Sequence, residues 1–363
     1  MSEVAGTVVQ QQQGSGDVAG AALAHARGYL TAHGRYVLEP VEAHSNFNYL
    51  YRASMMGDAG ARCYWLKAAD ALPRKLGVAL PRARVFAEAE TARIFRDQVG
   101  HLIDVPRIVY LHRDSHSFLM TDVGAGRRNG LDVLADDYEL YQRAVPALAE
   151  AVARVHAATA GDAREAAHEQ DLRDFAYREL MGPGIRKLAP DHAETLLQRL
   201  ATTRECLNHS DLWAKNVLIG ADARLALIDY EGAMRGDPVF DLATLLAAAL
   251  IPWFQHPAPD PEASWDIARH GILRGYGCGL CHPNWLRRIG ERLPGAMAVM
   301  LGARCAGPFA YPMPDQARAA LGRLCARLAR AATTGTFVDW TVFVEQALFD
   351  WRQHANRPNT EEH

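Results

Sequence analysis

Leu207-Asn208-His209-Ser210-Asp211-Leu212-Trp213-Ala214-Lys215-Asn216-Val217-Leu218-Ile219 is the stretch that decides the reading of this chain. An apolar run ends at a His-x-Asp, a polar loop follows, and an asparagine arrives five residues after the aspartate. Thirteen residues beyond Asn216, a second apolar run, Leu225-Ala226-Leu227-Ile228, ends in Asp229-Tyr230-Glu231. Gly220 to Arg224 supplies the turn between the two runs, so the pattern predicts a strand–turn–strand unit that delivers Asp211, Asn216 and Asp229 to one edge. Side chains alternate along a strand, so Glu231 is expected to face the same way as Asp229 if the strand continues.

His-x-Asp-x₄-Asn followed by a strand–turn–strand-Asp is the spacing of a kinase catalytic loop and its metal-binding aspartate. Phosphoryl transfer asks little covalent chemistry of a protein; it needs an acceptor oxygen held in line and cations around the phosphates. Asp211 suits the role of orienting a hydroxyl and accepting its proton. Asn216 and Asp229, with Glu231 beside them, offer the oxygen donors that Mg²⁺ prefers. Taken singly these residues say less. An isolated Asp ahead of a strand is usually a cap or turn residue, and an isolated His is more often buried and hydrogen-bonded than catalytic. His209 is accordingly expected to bond backbone and stiffen the loop. The combined spacing carries the functional reading.

Upstream, Val18 to Ala32 reads as a helix ended by Gly34, despite Gly28 within it. β-type runs follow at Tyr36–Ala43 and Asn48–Met55, with a polar corner Ser45-Asn46-Phe47-Asn48 between them. Gly57 to Gly60 is a turn, and Arg62–Lys67 a third strand. After a Pro- and Gly-punctuated loop at Leu72–Pro81 comes a helix over Arg84–Val99, then strands at Pro106–Leu111 and Ser117–Thr121. Residues from about 35 to 121 therefore suggest a five-stranded antiparallel sheet with one helix. Beyond Gly124-Ala125-Gly126 the character turns helical: Leu140, Ala144, Leu148, Val152 and Val155 share a stripe, with Pro146 marking a kink or the helix start. Helices are also expected near 163–181, 191–202 and from Val239 to Gln353. The fold class is α+β and bilobal: a tail over 1–17, a nucleotide-binding sheet lobe over 18–123, and a larger helical lobe over 124–355.

The segment His209-Ser-Asp211-Leu-Trp-Ala-Lys-Asn216, with Ile228-Asp229-Tyr-Glu231, resembles the aminoglycoside phosphotransferase and choline kinase superfamily, of protein-kinase-like fold. Gly236-Asp237-Pro238-Val239-Phe240-Asp241-Leu242-Ala243 matches the piece that follows in many members, where Asp241 would cap a helix and tie the catalytic loop in place. Ser210 stands where glycine is commonest. The resemblance implies a lysine on the third strand reaching the ATP phosphates and paired with a glutamate on the next helix. Lys67 fills the first role; Glu90 fits the second better than Glu88. It also implies that Ser45, Asn46 and Asn48 cover the phosphates, as in choline and methylthioribose kinases, and that the segment through Thr121, Asp122 and Val123 meets the adenine. Arg304 resembles an arginine near the acceptor in methylthioribose kinases. Those kinases generally lack an asparagine at the position of Asn216, so the chain sits between named branches. The implied activity is transfer of the γ-phosphate of ATP, with Mg²⁺, to a hydroxyl of a small molecule: an amino alcohol, an aminoglycoside-like antibiotic or a sugar. The alternative is a catalytically silent binding protein of the same fold.

Bulk properties agree with that class. The 363 residues exceed one simple core, and a formal net charge of −3 gives no reason to expect nucleic acid or an anionic membrane as partner. Met1 to Asp17 has a glutamine run and few large apolar residues, and lacks the basic start and apolar core of a secretion signal. A cytoplasmic monomer or homodimer is the expectation. Cys278-Gly-Leu-Cys281-His282 matches a c-type haem attachment motif, read here as coincidence because nothing directs export. Aromatic candidates for an acceptor site are Trp253, Trp265, Tyr276, Trp285, Tyr311 and Trp340, with acids Asp339, Glu345 and Asp350; such a set would enclose a cationic amine, although most of these rings are expected in the helical core.

Overall fold

The computed structural model describes residues 19–41, 48–56, 63–69, 80–162, 169–255, 261–280, 283–335 and 339–355. The chain divides into two compact units, one of Met1–Gly100, Asp104–Ala125 and Ile228–Glu231, the other of His101–Ile103, Gly126–Leu227 and Gly232–His363. The α+β class expected from the sequence holds. Ile228–Glu231 falls in the first unit, apart in sequence from the rest of it.

In the first unit, helix α1 over 19–31 precedes strands β1 (Tyr36–Pro40), β2 (Asn48–Met55) and β3 (Tyr64–Ala69). Helix α2 (Arg84–Val99) and strands β4 (Ile108–His112) and β5 (Ser117–Thr121) follow. The five strands pair antiparallel in the order β1-β2-β3-β5-β4, which puts β3 in the middle. Alternation along β3 then sorts its side chains. Tyr64 and Leu66 pack with Leu119 against Ala26 and Leu30 of α1. Ala69 packs with Phe118 against Val85 and Ala89 of α2. Lys67 pairs in register with Phe118, so it points to the α2 side of the sheet.

The second unit opens with β6 (Arg127–Asn129), α3 (Gly130–Asp136) and the long α4 (Tyr138–Ala158). The apolar stripe predicted for α4 is buried, and the helix continues through Pro146. Next come α5 (Glu169–Phe175), a π-helical turn at Ala176–Met181, α6 (Gly182–Leu188) and α7 (Pro190–Thr202). The β-rich island follows as β7 (Cys206–Asn208), a 3₁₀ turn at Ala214–Asn216, β8 (Val217–Gly220) and β9 (Leu225–Leu227). Strand β10 (Met234–Gly236), unanticipated, pairs with β7, while β6, also unanticipated, pairs with β8. Helices α8 (Val239–Leu250), α9 (Pro252–Gln255), α10 (Pro261–Leu280), α11 (Pro283–Ala306), α12 (Asp315–Thr334) and α13 (Trp340–Ala355) complete the unit. Every residue of α8 is buried, so this helix is the centre of the unit's core.

Helix α10 packs on α4 through small residues spaced one turn apart. A Cβ on Gly275 would stand 2.2 Å from the Pro146 carbonyl oxygen, and one on Gly279 would stand 2.3 Å from that of Glu150. Only backbone fits there. The close approach brings Tyr276 of α10 against His156 of α4. No described helix is long and apolar enough to cross a membrane.

Candidate active site

In the second unit, β7 ends at Asn208 and the chain enters the loop that carries Asp211. Asp241, fully buried on the first turn of α8, holds that loop by its backbone: Oδ2 accepts from the His209 amide at 2.7 Å and Oδ1 from the Ser210 amide at 2.8 Å. The helix-capping role expected of Asp241 is not what it does: the N-cap of α8 is Pro238, without a side-chain cap bond, while Asp237 Oδ1, one residue earlier, accepts from the Val239 amide at 3.0 Å. Asp241 is itself fixed from behind. His156 Nε2 donates to Asp241 Oδ2 at 3.1 Å, which leaves Nδ1 to accept from the Tyr276 hydroxyl at 2.7 Å. Burial, with Cys206, Asp241 and Asp237 nearby, holds the Tyr276 hydroxyl well above its ordinary range, so it stays a donor. His156 was not picked out from the sequence; a histidine at the end of an apolar helical stripe was the available signal.

The loop backbone has an unusual shape. Ser210 adopts φ 65°, in the left-handed region, which accounts for the glycine commonest there in the resembled superfamily. His209 Nδ1 accepts from the Asp211 amide at 3.3 Å, the stiffening role anticipated for it. Asn216 Nδ2 donates to both the carbonyl oxygen and Oδ2 of Asp211, each at 2.8 Å. With its amide nitrogen engaged, Asn216 has its oxygen to offer a cation. Lys215 Nζ meets the same Asp211 Oδ2 at 2.8 Å. The turn after β8 closes as expected, Gly220 donating to the Arg224 carbonyl at 2.9 Å.

In the first unit, Lys67 is buried with its Nζ 2.7 Å from Glu88 Oε1, 2.6 Å from Asp229 Oδ1 and 3.2 Å from Glu231 Oε2. Glu88, not Glu90, is thus the helix partner of Lys67. The reason is helical periodicity: Val85, Glu88, Ala92, Phe95 and Val99 form the buried face of α2, whereas Glu90 lies on the exposed face and pairs with Arg93. Asp229 and Glu231 converge, but not by strand alternation. Strand β9 stops at Leu227, Asp229 takes φ 67°, and a 3₁₀ turn at Tyr230–Gly232 swings Glu231 toward Lys67. The Tyr230 ring packs on Phe95 of α2 and anchors that turn.

Asn48 belongs to the same cluster. Its Nδ2 donates to Glu231 Oε2 and its Oδ1 accepts from Arg84 Nη2 at 2.9 Å, so it orients the carboxylate group. Ser45 and Asn46, the other residues assigned to the phosphate turn, lie outside the described residues, as do the 1–17 tail, Cys281 and His282. Thr121 ends β5, and Asp122 and Val123 follow it. The Thr121 amide donates to the Arg107 carbonyl and the Asp122 amide to that of Cys63, each at 3.0 Å, while Asp122 Oδ1 accepts from the Gly124 amide at 2.7 Å.

One ammonium among three carboxylates leaves surplus negative charge in a buried place. Burial pulls Lys67 down, but Asp229, Glu231 and Glu88 outweigh it and hold the ammonium well above its ordinary value. Burial pushes Glu88 up to about 8 against the pull of Lys67, with Asp229 and Glu231 adding to the rise. A cluster that otherwise draws in a proton has the charge and the oxygen donors that a hard cation such as Mg²⁺ takes. Among the described residues no group of three or more His, Cys, Asp or Glu is arranged to hold a metal. Magnesium at nucleotide sites needs only one or two carboxylates, the phosphates supplying further oxygens.

The model of the phosphotransferase enzyme family matches residues 57–288, well over half of the chain, and the chain belongs to that family. That match takes in Lys67, Glu88, Asp211, Asn216, Asp229 and Glu231. Among solved structures the chain is similar to a choline/ethanolamine kinase family protein from Mesorhizobium loti, at 15% identity over 89% of each chain with a TM-score of 0.44. It is also similar to an aminoglycoside phosphotransferase from Alicyclobacillus acidocaldarius, at 15% identity over 88% of this chain and 89% of that one, TM-score 0.44. A choline kinase from Streptococcus pneumoniae matches at 13% identity over 91% and 98%, TM-score 0.43. Likeness at this level identifies no acceptor. Comparison with curated proteins finds no match.

Proposed function

We propose that this phosphotransferase moves the γ-phosphate of ATP to a hydroxyl of a small molecule. The observation that carries the reading is the buried Lys67 ringed by Glu88, Asp229 and Glu231. A strand lysine paired with a helix glutamate, beside a metal-binding aspartate, is the arrangement by which kinases grip nucleotide phosphates. Lys67 then binds the phosphates, with Glu88 fixing its direction. Asp229, Glu231 and the Asn216 side-chain oxygen are the residues that would hold Mg²⁺. Bound magnesium supplies neutralisation of the charge that builds on the phosphate oxygens.

Asp211 receives the acceptor. Its carboxylate orients the hydroxyl; as the acceptor oxygen bonds to the γ-phosphorus and the bond to the ADP oxygen breaks, the hydroxyl proton passes to Asp211 and on to solvent. Asp241 and Asn216 keep Asp211 in one position, which lowers the entropic cost of alignment.

The test is a screen of hydroxylated metabolites and aminoglycosides for acceptor-dependent ADP release, repeated with Asp211→Asn. Turnover is expected to fall by about 10²–10⁴-fold while nucleotide binding, read by calorimetry, is nearly kept. Wild-type turnover by the variant would show that Asp211 does not take the acceptor proton.

A further inference from the structure

The β7–β10 ribbon is the root of the Asp211 loop, and it is short. Each strand has three residues, with Cys206 paired to Gly236, Leu207 to Arg235 and Asn208 to Met234. So small a ribbon does not by itself hold a loop in which Ser210 sits at φ 65°; strained backbone persists only where its surroundings over-determine it. At one end of the ribbon stand Glu205, just before β7, and Asp237, just after β10. Arg292 of α11 reaches both. Its Nη1 is 3.1 Å from Glu205 Oε1 and 2.8 Å from Asp237 Oδ2, and its Nη2 donates to Glu205 Oε2 at 3.4 Å.

Helix spacing brings Arg292 there. Trp285, Arg288 and Arg292 fall at i, i+3 and i+7, on one face of α11, and all three meet Glu205. Trp285 Nε1 donates to Glu205 Oε2 at 3.0 Å and Arg288 Nη2 to Oε1 at 2.5 Å. Burial raises the Glu205 carboxyl, but Arg292 and Arg288 outweigh it and hold it below its ordinary value. Glu205 thus stays charged and well supplied with donors, and the Arg292 fork also serves Asp237.

Asp237 joins the two supports of the loop. Its carbonyl accepts from Asn208 Nδ2 at 2.8 Å, at the end of β7. Its Oδ1 takes the Val239 amide, at the start of the helix whose Asp241 grips the His209 and Ser210 amides. The position of Asp237 therefore sets the span between Asn208 and Asp241, across which the loop is drawn. Stability does not account for the ion pair. Burial pushes Asp237 up to about 6 against the pull of Arg292, and a buried ion pair is often no better than apolar packing. What the pair adds is one fixed geometry. The other ionisable groups facing Asp237 are Glu205 and Cys206 at β7, His156 of α4, Tyr276 of α10 and Tyr177 of the π-helical turn.

We propose that Arg292 is a positioning residue for phosphoryl transfer: by clamping Asp237 and Glu205 it fixes the root of the ribbon and so the place where Asp211 presents its carboxylate. This deepens the phosphotransferase reading above and rests on it. Arg292 acts through Asp237 and takes no part in the transfer itself, in which the acceptor oxygen gains the phosphoryl group, ADP leaves and the proton goes to Asp211.

The test compares full-length wild type, Arg292→Gln and Arg292→Lys for ADP release with the acceptor found by the screen, from about pH 5.5 to 8.5. Arg292→Gln is expected to lower kcat about tenfold at neutral pH, with KM for ATP changed much less. With its cation gone, Asp237 takes its proton at higher pH, so the acid limb of kcat should move up by about one pH unit. Arg292→Lys keeps the charge but not the fork and should recover part of both losses. In an Asp237→Asn background the same Arg292→Gln change should cost kcat much less, because the pair is already broken. An unchanged kcat, a loss equal at every pH, or a loss undiminished when Asp237 is already Asn overturns the assignment. Amide hydrogen exchange gives a measure independent of turnover. At His209 and Ser210 it should quicken about tenfold in Arg292→Gln, and less in Arg292→Lys, while α12 exchanges as in wild type. Should Arg292→Gln unfold, Arg292→Lys decides: faster exchange confined to the loop supports the clamp, and no change overturns it. Loop exchange as expected with no ADP release from wild type for any acceptor would keep the clamp and count against the phosphotransferase reading; ADP release from wild type with unchanged loop exchange in the variants would do the reverse.

Discussion

Ser210 concentrates the strain of the loop that carries Asp211. Its φ of 65° is one that L-residues with a side chain adopt at a cost, and its buried Oγ has no hydrogen-bond partner among the described residues. What holds it there is Asp241, which takes the Ser210 amide and the one before it. Ser210→Gly removes both the steric cost and the stranded hydroxyl, offset in part by the greater freedom of glycine in the unfolded chain. The variant is expected to be more stable by about 1 kcal/mol, read from chemical unfolding at constant m-value. A loss of stability would mean that the serine side chain supports the loop.

At the scale of elements, the contact between α4 and α10 links packing to chemistry. The backbone of α10 approaches that of α4 at Gly275 and Gly279, and the neighbouring Tyr276 thereby reaches His156, which in turn supports Asp241. Gly275→Ala forces a methyl into the Pro146 carbonyl, and the helices must separate. The expected cost is about 1–3 kcal/mol. Gly290→Ala in α11 makes the contrast, because nothing lies within 4 Å of its added Cβ. There, replacing glycine inside a helix should stabilise by up to about 1 kcal/mol. Thermal unfolding of the two variants checks the pair, and equal behaviour would refute the close-packing argument.

At the scale of the whole molecule, stability depends on buried charge. Burial pushes Asp237 from its ordinary 3.8 up to about 6, against the opposing pull of Arg292 and of the Val239 amide. A carboxyl whose folded value is raised binds its proton more tightly folded than unfolded. Its contribution is therefore fully present below pH 4 and is lost as pH rises through 6. Asp237→Asn stays neutral throughout, so the stability of the variant relative to wild type should rise by about 2 kcal/mol between pH 4 and pH 7. Unfolding free energies of both proteins across that range check the sign; a difference that does not change with pH would show that Asp237 is not desolvated.

The sequence by itself determined what depends on local spacing. His209 to Asn216 and Leu225 to Asp229 defined the loop and its hairpin, because strand, turn and strand are set by neighbouring residues. Strand β5 and the buried stripe of α4 were legible for the same reason. Tertiary structure alone decided which side chains meet. Glu88 replaced Glu90 because β3 turns Lys67 toward one face of α2, although the spacing Val85–Glu88–Ala92–Phe95 already marked that face. The convergence of Asp229 and Glu231 depended on a positive φ and a 3₁₀ turn that alternation does not describe. His156, Tyr276 and Arg304 acquired their places only when α4, α10 and α11 packed. The physical reason is one of range: backbone propensity acts over a few residues, whereas desolvation and charge pairing act between groups that only the folded chain brings together.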